Sequence, residues 1–403
     1  MTDLKRILAL WRELEAAGAD YVLATVIEVE GSSYRKPGAC MLLASDGRRA
    51  GTVSGGCLEA QVAQRAWWLT SDGPTIQRYS TLEEDGDLPY GSGCGGVIYL
   101  LLERSTTATP VLHALEQAFI RRIPLAVATV LEGSLLGQRT FAGVMLPSPD
   151  GRLAVRAPSP RHHSGEGVRE GELQPASIYL ELQELANLAL DRGASIERHI
   201  SIQDASLRAW ANFRAARPGL WIFGAGDDAH PILSLAKELG WYVAVADGRS
   251  HLATRERFPL ADELHVLTLA ELLPNQSPAP TPSLVNLRAH DAAVLMTHSF
   301  EQDSHILASL LALDAQLAYV GVLGPQRRTR ELLAEAARLL NLPASAAQTE
   351  RWLAQLHAPM GLDLGAESPE TIALSVLAEV QKSFTAATAL PLRQVRAQAV
   401  TLS

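Results

Sequence analysis

The first half of the chain shows hydrophobic patterns that are typical of a mixed α+β domain. The first predicted helix, which stops near Gly18, carries one apolar stripe made of Leu4, Ile7, Leu8, Trp11 and Leu14. A second helix is predicted to run to about Leu69, because Leu58, Val62 and Ala66 recur every fourth residue. Runs of β-branched or apolar residues predict strands over residues 21–29, 40–44 and 97–102.

The second half shows a different pattern, in which short apolar strands alternate with helical segments. The predicted strands cover residues 220–223, 241–246, 264–267, 292–297 and 317–323. This repetition predicts a parallel sheet that is covered by helices on both faces. Ser368-Pro369-Glu370 predicts the start of a last helix, since serine is a favoured N-cap and proline is favoured at the first helical position.

The length of the chain predicts two domains, with three as the alternative, because 403 residues exceed one ordinary hydrophobic core. The predicted fold class is α/β, with an N-terminal α+β domain followed by a C-terminal Rossmann-like, doubly wound parallel sheet. We expect the first domain over residues 1–205, with a loop-rich stretch at 156–177 that is dense in glycine, proline and charge. Residues 206–218 are the predicted linker, and residues 219–403 are the predicted second domain.

Composition and charge argue against several classes of partner. A net charge of -9 disfavours nucleic acid or an anionic membrane surface as the main partner. No apolar run approaches the roughly 18 residues of a membrane span, and the amphipathic first helix is unlike a signal peptide. Three cysteines, Cys40, Cys57 and Cys94, are too few for a secreted disulfide scaffold and suit a reducing compartment. We therefore expect a cytoplasmic protein that binds neither nucleic acid nor membranes.

Two glycine-flanked cysteines are the strongest candidates for chemistry, and they lie in Gly55-Gly56-Cys57 and Cys94-Gly95-Gly96. The first group stands where a strand is predicted to turn into a helix, and the N–H groups and dipole of such a helix end favour a thiolate on Cys57. Glycines around the second cysteine let a bulky group approach the backbone closely. The alternative for Cys57 is a small side chain that is buried only for packing. Cys40, inside an apolar run, is predicted to belong to the core.

A polar loop between the first two predicted strands is the candidate anion site. Between glycines at positions 31 and 38, it carries the donors Ser32, Ser33, Arg35 and Lys36. Hydroxyls, two adjacent cations and glycine N–H groups together suit an anionic ligand. The alternative is a solvated hairpin loop that binds nothing.

The second half contains the order of a dinucleotide-binding βαβ unit. A strand is followed by Gly224, Gly226, a helix, another strand and then Asp247, about twenty residues further on. This order predicts phosphates at the start of the helix and a ribose hydroxyl on Asp247. Asp227 and Asp228 place two negative charges where a pyrophosphate would lie, which argues against tight binding of NAD(P).

A later helix is predicted to begin with three arginines near its start, at positions 327, 328 and 330, and the first two are further candidates. Arg327 and Arg328 follow the predicted strand over residues 317–323. An anion at the carboxyl edge of the sheet would meet their guanidinium groups. The alternative is a pair of exposed arginines on a surface helix.

Motifs in both halves carry a family resemblance. Those of the first half are GSSYRKPGACMLL, GTVSGGCLEA and GCGG, and those of the second are FGAGDDA, THSFEQD, YVGVLGPQRRT and LHAPMGLDLGAESPETIALSVLAE. Together they resemble the xanthine dehydrogenase accessory protein family (XdhC/CoxI), the molybdenum-cofactor chaperones of molybdenum hydroxylases. The resemblance implies a molybdopterin-binding N-terminal domain and a Rossmann-like C-terminal domain. It also implies that the cofactor is protected while a cysteine desulfurase installs its sulfido ligand, and is then passed to the apo-enzyme.

The candidate residues suit the parts of such a cofactor. Soft thiolates suit a molybdenum–sulfur centre, so Cys57 and Cys94 are the candidates for the molybdenum end. Arg35, Lys36 and the glycine N–H groups are the candidates for the anionic end. Glu59 either accepts N–H donors of the pterin or caps its own helix.

Three functional hypotheses follow. The first is a chaperone, with little or no turnover of its own, that inserts the molybdenum cofactor into an apo molybdenum hydroxylase. The cofactor is molybdopterin or its dinucleotide form, and the hydroxylase is of the xanthine dehydrogenase, aldehyde oxidoreductase or CO dehydrogenase type. The second is an NAD(P)-dependent oxidoreductase that uses the C-terminal domain. The third is a protein that itself transfers sulfur through Cys57 or Cys94. A homodimer is a further hypothesis, because cofactor handover often uses a cleft between protomers.

Overall fold

The structure, a computed structural model, divides the chain into two compact units. It describes residues 2–56, 58–80, 96–144, 175–202, 205–272, 287–313, 316–343 and 345–395. The N-terminal unit comprises residues 1–217 and the C-terminal unit residues 218–403.

The described part of the N-terminal unit forms two antiparallel sheets. Its helices are α1 (Thr2–Ala16), α2 (Glu59–Leu69), α3 (Ser105–Arg121) and α4 (Pro175–Arg192). Its strands are β1 (Tyr21–Gly31), β2 (Cys40–Ala44), β3 (Arg49–Gly51), β4 (Thr75–Ser80), β5 (Gly96–Arg104), β6 (Leu125–Val130), β7 (Arg139–Ala142), β8 (Ile196–Ile202) and β9 (Ala205–Arg214). The five-stranded sheet has the order β3-β2-β1-β5-β4, and the four-stranded sheet has the order β7-β6-β9-β8.

Alternation along β1 explains why the five-stranded sheet has helices on both faces. Tyr21 and Leu23 pack with side chains of α1 and α3. Val22 and Ala24 point the other way and pack with Val62 of α2. Each fully buried side chain of this size stabilises the fold by roughly 1.5–3 kcal/mol. Packing on both faces of the sheet therefore holds β1 and β3, and with them the starts of the loops that follow these strands.

The predicted linker over residues 206–218 is wrong for most of its length. Strand β9 occupies this stretch and pairs with both β6 and β8, so its backbone belongs to the interior of the four-stranded sheet. Leu207 and Ala209 pack under α4, whereas Trp210 faces the five-stranded sheet and packs with Leu101. The boundary between the units falls after Arg217.

The C-terminal unit confirms the predicted parallel sheet. Its strands are β10 (Gly219–Phe223), β11 (Tyr242–Asp247), β12 (Glu263–Val266), β13 (Ala292–Leu295) and β14 (Tyr319–Val322), in the order β12-β11-β10-β13-β14. Every pair of neighbours is parallel. Its helices are α5 (Ala229–Glu238), α6 (Phe300–Ala312), α7 (Gln326–Leu339), α8 (Ala346–Leu353) and α9 (Pro369–Thr385). Ser368 caps α9 as predicted, because its side chain accepts the N–H of Thr371.

Helices cover both faces of this parallel sheet. Leu220 and Ile222 of β10 pack with residues of α5 and α9. Trp221 and Phe223 point to the other face and pack with residues of α6 and α7. The loops at the carboxyl ends of β10, β11, β13 and β14 consequently share one edge of the sheet. In the part of the chain that the structure describes, no helix has the length and apolar character needed to cross a membrane.

Candidate functional site

Loop 31–38 and the start of β5 come together in the N-terminal unit. Gly31 at the end of β1 is the partner of Gly96 at the start of β5. A Cβ added at Gly96 would lie 2.3 Å from the carbonyl oxygen of Ser32 and 2.9 Å from that of Glu30. Only a glycine permits this approach, so the last residue of the GCGG motif lies directly against the first residues of the polar loop.

The same loop also binds the segment that precedes α2. The Nε of Arg35 donates to Thr52 at 2.8 Å from its hydroxyl and 3.3 Å from its carbonyl oxygen. The ring of Tyr34 lies 3.6 Å from the position that a Cβ on Gly55 would take. The structure therefore places parts of all three N-terminal motifs around loop 31–38, although they are separated in sequence.

Glu59 stabilises the turn into α2. Its Oε1 accepts the N–H groups of Val53 and Ser54 at 3.2 and 2.9 Å, and its Oε2 accepts the Ser54 hydroxyl at 2.6 Å. The Ser54 hydroxyl oxygen in turn accepts the N–H groups of Gly56 and Leu58. Burial acts to raise the pKa of Glu59, but the hydrogen bonds from Ser54 outweigh it and leave that pKa below its ordinary value. These contacts tie the segment before α2 to the first residue of the helix, and the start of α2 has no side-chain cap among the described contacts.

The two candidate thiols and Gly95 lie outside the described residues. Gly56, immediately before Cys57, is exposed, has a φ of +114° and has open space where a side chain would be. Leu58, immediately after it, is fully buried. Cys94 precedes Gly95 and Gly96, the residue that contacts Ser32.

Cys40 is buried in the core, as predicted. It is 8% exposed and packs with apolar residues of α1 and α3. Its Sγ lies 3.4 Å from the carbonyl oxygen of Gly38 and 3.2 Å from Nη2 of Arg214. This thiol therefore lies at the base of the polar loop.

A cleft of about 550 Å³ opens beside loop 31–38 within the N-terminal unit. It is lined by loop residues, by the first turns of α1 and by the end of β9. Its charged lining residues are Asp3, Arg35, Lys36 and Arg214. Ser32 and Lys36 are exposed, and the Ser33 hydroxyl accepts the backbone N–H of Arg35 at 3.3 Å. Arg214 is absent from the predicted site because it lies in the stretch that is predicted as a linker.

Asp247 hydrogen-bonds to the glycine turn of the C-terminal unit. Asp247 is fully buried, and its Oδ2 accepts the N–H of Ala225 at 2.7 Å. Its Oδ1 accepts both N–H and Nε–H of Arg249, and Nη2 of Arg249 donates to Oδ2 at 2.8 Å. Burial acts to raise the pKa of Asp247, but these hydrogen bonds outweigh it and leave the pKa lowered. The four acceptor positions of the carboxylate are thus already used.

Further charges around that edge of the sheet are also paired. Asp227 accepts a hydrogen bond from Arg257 at 2.8 Å, and Asp228 lies 3.0 Å from Nε2 of His298. Arg328 donates to the buried carboxylate of Asp303 at 2.7 Å. Arg327 is 90% exposed and lies 3.6 Å from Glu331, as expected for an arginine on a surface helix.

The two glycines of this turn are explained by contacts inside the unit. Gly224 has a φ of +132°, and a Cβ there would lie 2.5 Å from the carbonyl oxygen of Met296. A Cβ on Gly226 would lie 2.6 Å from Oδ1 of Asp228. Within the described ranges, no group of three or more histidine, cysteine, aspartate or glutamate side chains is arranged to hold a metal ion.

The fold and the site define a class of two-unit proteins. The N-terminal unit is antiparallel and carries the polar loop, and the C-terminal unit is Rossmann-like. Residues 14–80 match the model of the XdhC and CoxI family, and residues 220–380 match that of the XdhC Rossmann domain. The chain is 31% identical over 370 residues to a probable xanthine dehydrogenase subunit of Bacillus subtilis (strain 168), and the match covers 89% of this chain and 92% of that protein. The chain belongs to the XdhC and CoxI family, as the sequence motifs predict.

Two further comparisons agree with this assignment. Over 124 residues the chain is 34% identical to the molybdenum cofactor insertion chaperone PaoD of Escherichia coli (strain K12), a match that covers 28% of this chain and 36% of PaoD. A crystal structure of a xanthine dehydrogenase from Bacillus halodurans matches with a TM-score of 0.66 and 27% identity over 96% of each chain.

Proposed function

We propose that this protein binds the molybdenum cofactor as cargo and inserts it into an apo molybdenum hydroxylase. The observation that carries the proposal is the assembly of described parts of the three N-terminal motifs around loop 31–38. They lie beside a cleft whose described lining includes three cationic side chains. The similarity to a molybdenum cofactor insertion chaperone and to a probable component of a xanthine dehydrogenase supports it.

In this proposal, the cationic part of the loop takes the anionic end of the cargo. Arg35 is oriented by Thr52, and Lys36 is exposed beside it. Both side chains are donors that suit phosphate oxygens, and the cleft has the size typical of small-molecule sites, roughly 300–1,000 Å³. The chain thus offers charge and volume that suit a phosphate-bearing pterin.

We further propose that Cys57 and Cys94 face the molybdenum end. A thiolate is a soft ligand that suits a molybdenum–sulfur centre. The Ser54–Glu59 network holds the backbone on both sides of Cys57, because it binds Gly56 and Leu58. We propose that the bound cargo is protected there while a cysteine desulfurase supplies its sulfido ligand.

A nicotinamide-dependent activity fits the C-terminal unit poorly. Asp247, the residue that would accept a ribose hydroxyl, has its acceptor positions filled by Arg249 and Ala225. Asp227 and Asp228 add negative charge beside the glycine turn, which disfavours a pyrophosphate.

Reconstitution tests the insertion function directly. The full-length protein is isolated from cells that make the cofactor and mixed with purified apo molybdenum hydroxylase, and the hydroxylase activity gained is measured. We expect activation by the wild type, strong loss in the double variant Arg35→Gln/Lys36→Gln, and no change in Arg338→Gln, whose exposed arginine pairs with Glu335 of α7. Failure of the wild type to activate any of the three hydroxylase types would contradict the proposal.

A further inference from the structure

The cleft beside loop 31–38 collects more positive charge than the loop alone provides. Among the described residues that line it, three are cations, Arg35, Lys36 and Arg214, and Asp3 is the one carboxylate. The chain as a whole has a net charge of -9, so this local excess of positive charge is opposite in sign to that of the protein. Gathering like charges in one cleft costs free energy that a bound anion offsets.

Arg214 is fixed at the base of this cleft. It lies at the end of β9, and its Nη2 donates to the carbonyl oxygen of Gly38 and lies 3.2 Å from Sγ of Cys40. Its Nε is buried and has no hydrogen-bond partner among the described residues. The guanidinium is thus held against the loop by one nitrogen while its hydrogen-bonding capacity is incompletely used. A guanidinium carries five N–H donors, so Arg214 keeps further donors for a ligand in the cleft that it lines.

Asp3 already pairs with one of these cations. Its carboxylate contacts Nη2 of Arg35, and both side chains are about one-third exposed. The Nε of Arg35 is held separately by Thr52. Loss of the Asp3 contact would therefore free one edge of the guanidinium without releasing the side chain from the cleft wall.

We propose that this cleft binds the phosphate end of the cargo, that Arg214 is a third cationic ligand, and that Asp3 is an internal counter-ion displaced on binding. The inference rests on the proposed function and assigns the phosphate-binding end of that same site. Charge-assisted hydrogen bonds from guanidinium groups are the usual means of phosphate recognition. The site acts by exchange, since the phosphate replaces the carboxylate on Arg35.

Titration of the full-length protein with inorganic pyrophosphate and inorganic phosphate tests the assignment by calorimetry. We expect Arg214→Gln to weaken pyrophosphate binding by about tenfold or more. Asp3→Asn should strengthen it several-fold, because Arg35 no longer has a competing carboxylate. A preference for pyrophosphate indicates a dinucleotide-type end and a preference for phosphate indicates a mononucleotide-type end, and either supports the site.

Two controls keep the test independent of folding and of the cargo. Arg12→Gln removes an arginine of α1 that pairs with Glu116 away from the cleft and should leave binding unchanged. Arg214→Lys keeps the charge, and thermal unfolding of each variant reports whether it folds. Absence of binding to the wild type, or equal affinity in Arg214→Gln and Asp3→Asn, overturns the inference. The proposed function fails separately, if the wild type activates no hydroxylase although it binds pyrophosphate.

Discussion

Gly96 lies so close to the carbonyl oxygen of Ser32 that a Cβ would come within 2.3 Å of it. Real Cβ atoms do not approach backbone oxygens this closely, so the contact requires glycine. Because Ser32 begins the polar loop and Gly96 ends the GCGG motif, this contact joins the proposed phosphate side of the site to the segment that contains Cys94. The geometry of the site therefore depends on one missing side chain.

Gly96→Ala should destabilise the N-terminal unit by about 1–3 kcal/mol and lower cargo retention. The added methyl group would meet the backbone oxygens of Ser32 and Glu30, which cannot move aside without disturbing the pairing of β1 and β5. Urea unfolding measures the loss. Gly55→Ala is the matched control, because its Cβ would make an ordinary 3.6 Å contact with Tyr34. Equal stability of the two variants would contradict the close-contact explanation.

Glu59→Gln should lower stability at neutral pH by about 1–3 kcal/mol, since a buried carboxylate that accepts three hydrogen bonds is replaced. The pKa of Glu59 is lower in the folded protein than in the unfolded chain, where it is about 4.3. Its contribution is therefore present above that value and is lost as the pH falls through the folded pKa. The difference in unfolding free energy between wild type and variant should shrink from pH 6 towards about pH 3.

The exposed carboxylate of Glu13 provides a control for that measurement. It pairs with Arg48 at the surface, and its side chain is 64% exposed. Exposed pairs contribute little to stability, so Glu13→Gln should have a small effect at every pH. A difference between wild type and Glu59→Gln that does not change with pH would refute the role given to the Glu59 carboxylate.

Arg139→Met should destabilise the protein by about 3–5 kcal/mol at pH 8, because it leaves the buried carboxylate of Glu103 without its partner. Burial raises the pKa of Glu103, and Arg139 opposes that rise. The pKa of Glu103 is thus higher in the folded protein than in the unfolded chain, where it is about 4.3. Its protonated form stabilises the folded protein below that value, and this stabilisation is lost as the pH rises through the pKa of the folded protein. The variant should therefore be less destabilised at pH 5 than at pH 8. The double variant Glu103→Gln/Arg139→Met should recover part of the loss, and no recovery would count against this explanation.

Addition of NAD+ or NADP+ should leave the unfolding temperature unchanged. A ligand present at about one hundred times its Kd stabilises a protein by about 2.7 kcal/mol, which raises the unfolding temperature by several degrees. Asp247 is fully engaged by Arg249 and Ala225, so we expect no such shift. A rise of several degrees with either nucleotide that persists in Arg35→Gln/Lys36→Gln would show that the C-terminal unit binds nicotinamide cofactors.

Local patterns predict the C-terminal fold well because each element is defined by its own residues. Strands β10 and β11 are continuous apolar runs, as expected for strands that are buried on both faces. The start of α9 follows from Ser368 and the proline after it. These signals need no knowledge of distant partners.

The N-terminal site is less predictable because its partners come from distant parts of the chain. Arg208, Trp210 and Asn212 alternate with small apolar residues, which is a strand signal, but the arginines and proline further on favour a linker. Arg214 therefore falls outside the predicted site, although it lines the cleft. The engagement of Asp247 by Arg249 could not be predicted either, because it depends on where the backbone N–H groups lie.

The measurement that tests the account most directly is the pterin content of the purified full-length protein. The protein is isolated from cells that make the cofactor, the bound material is oxidised to its fluorescent form, and the pterin per chain is compared between variants. We predict near-stoichiometric pterin in the wild type and in Arg338→Gln, and a large loss in Arg35→Gln/Lys36→Gln. Wild-type protein that carries no pterin, or a double variant that retains as much as the wild type, would contradict the claim that loop 31–38 holds the molybdenum cofactor.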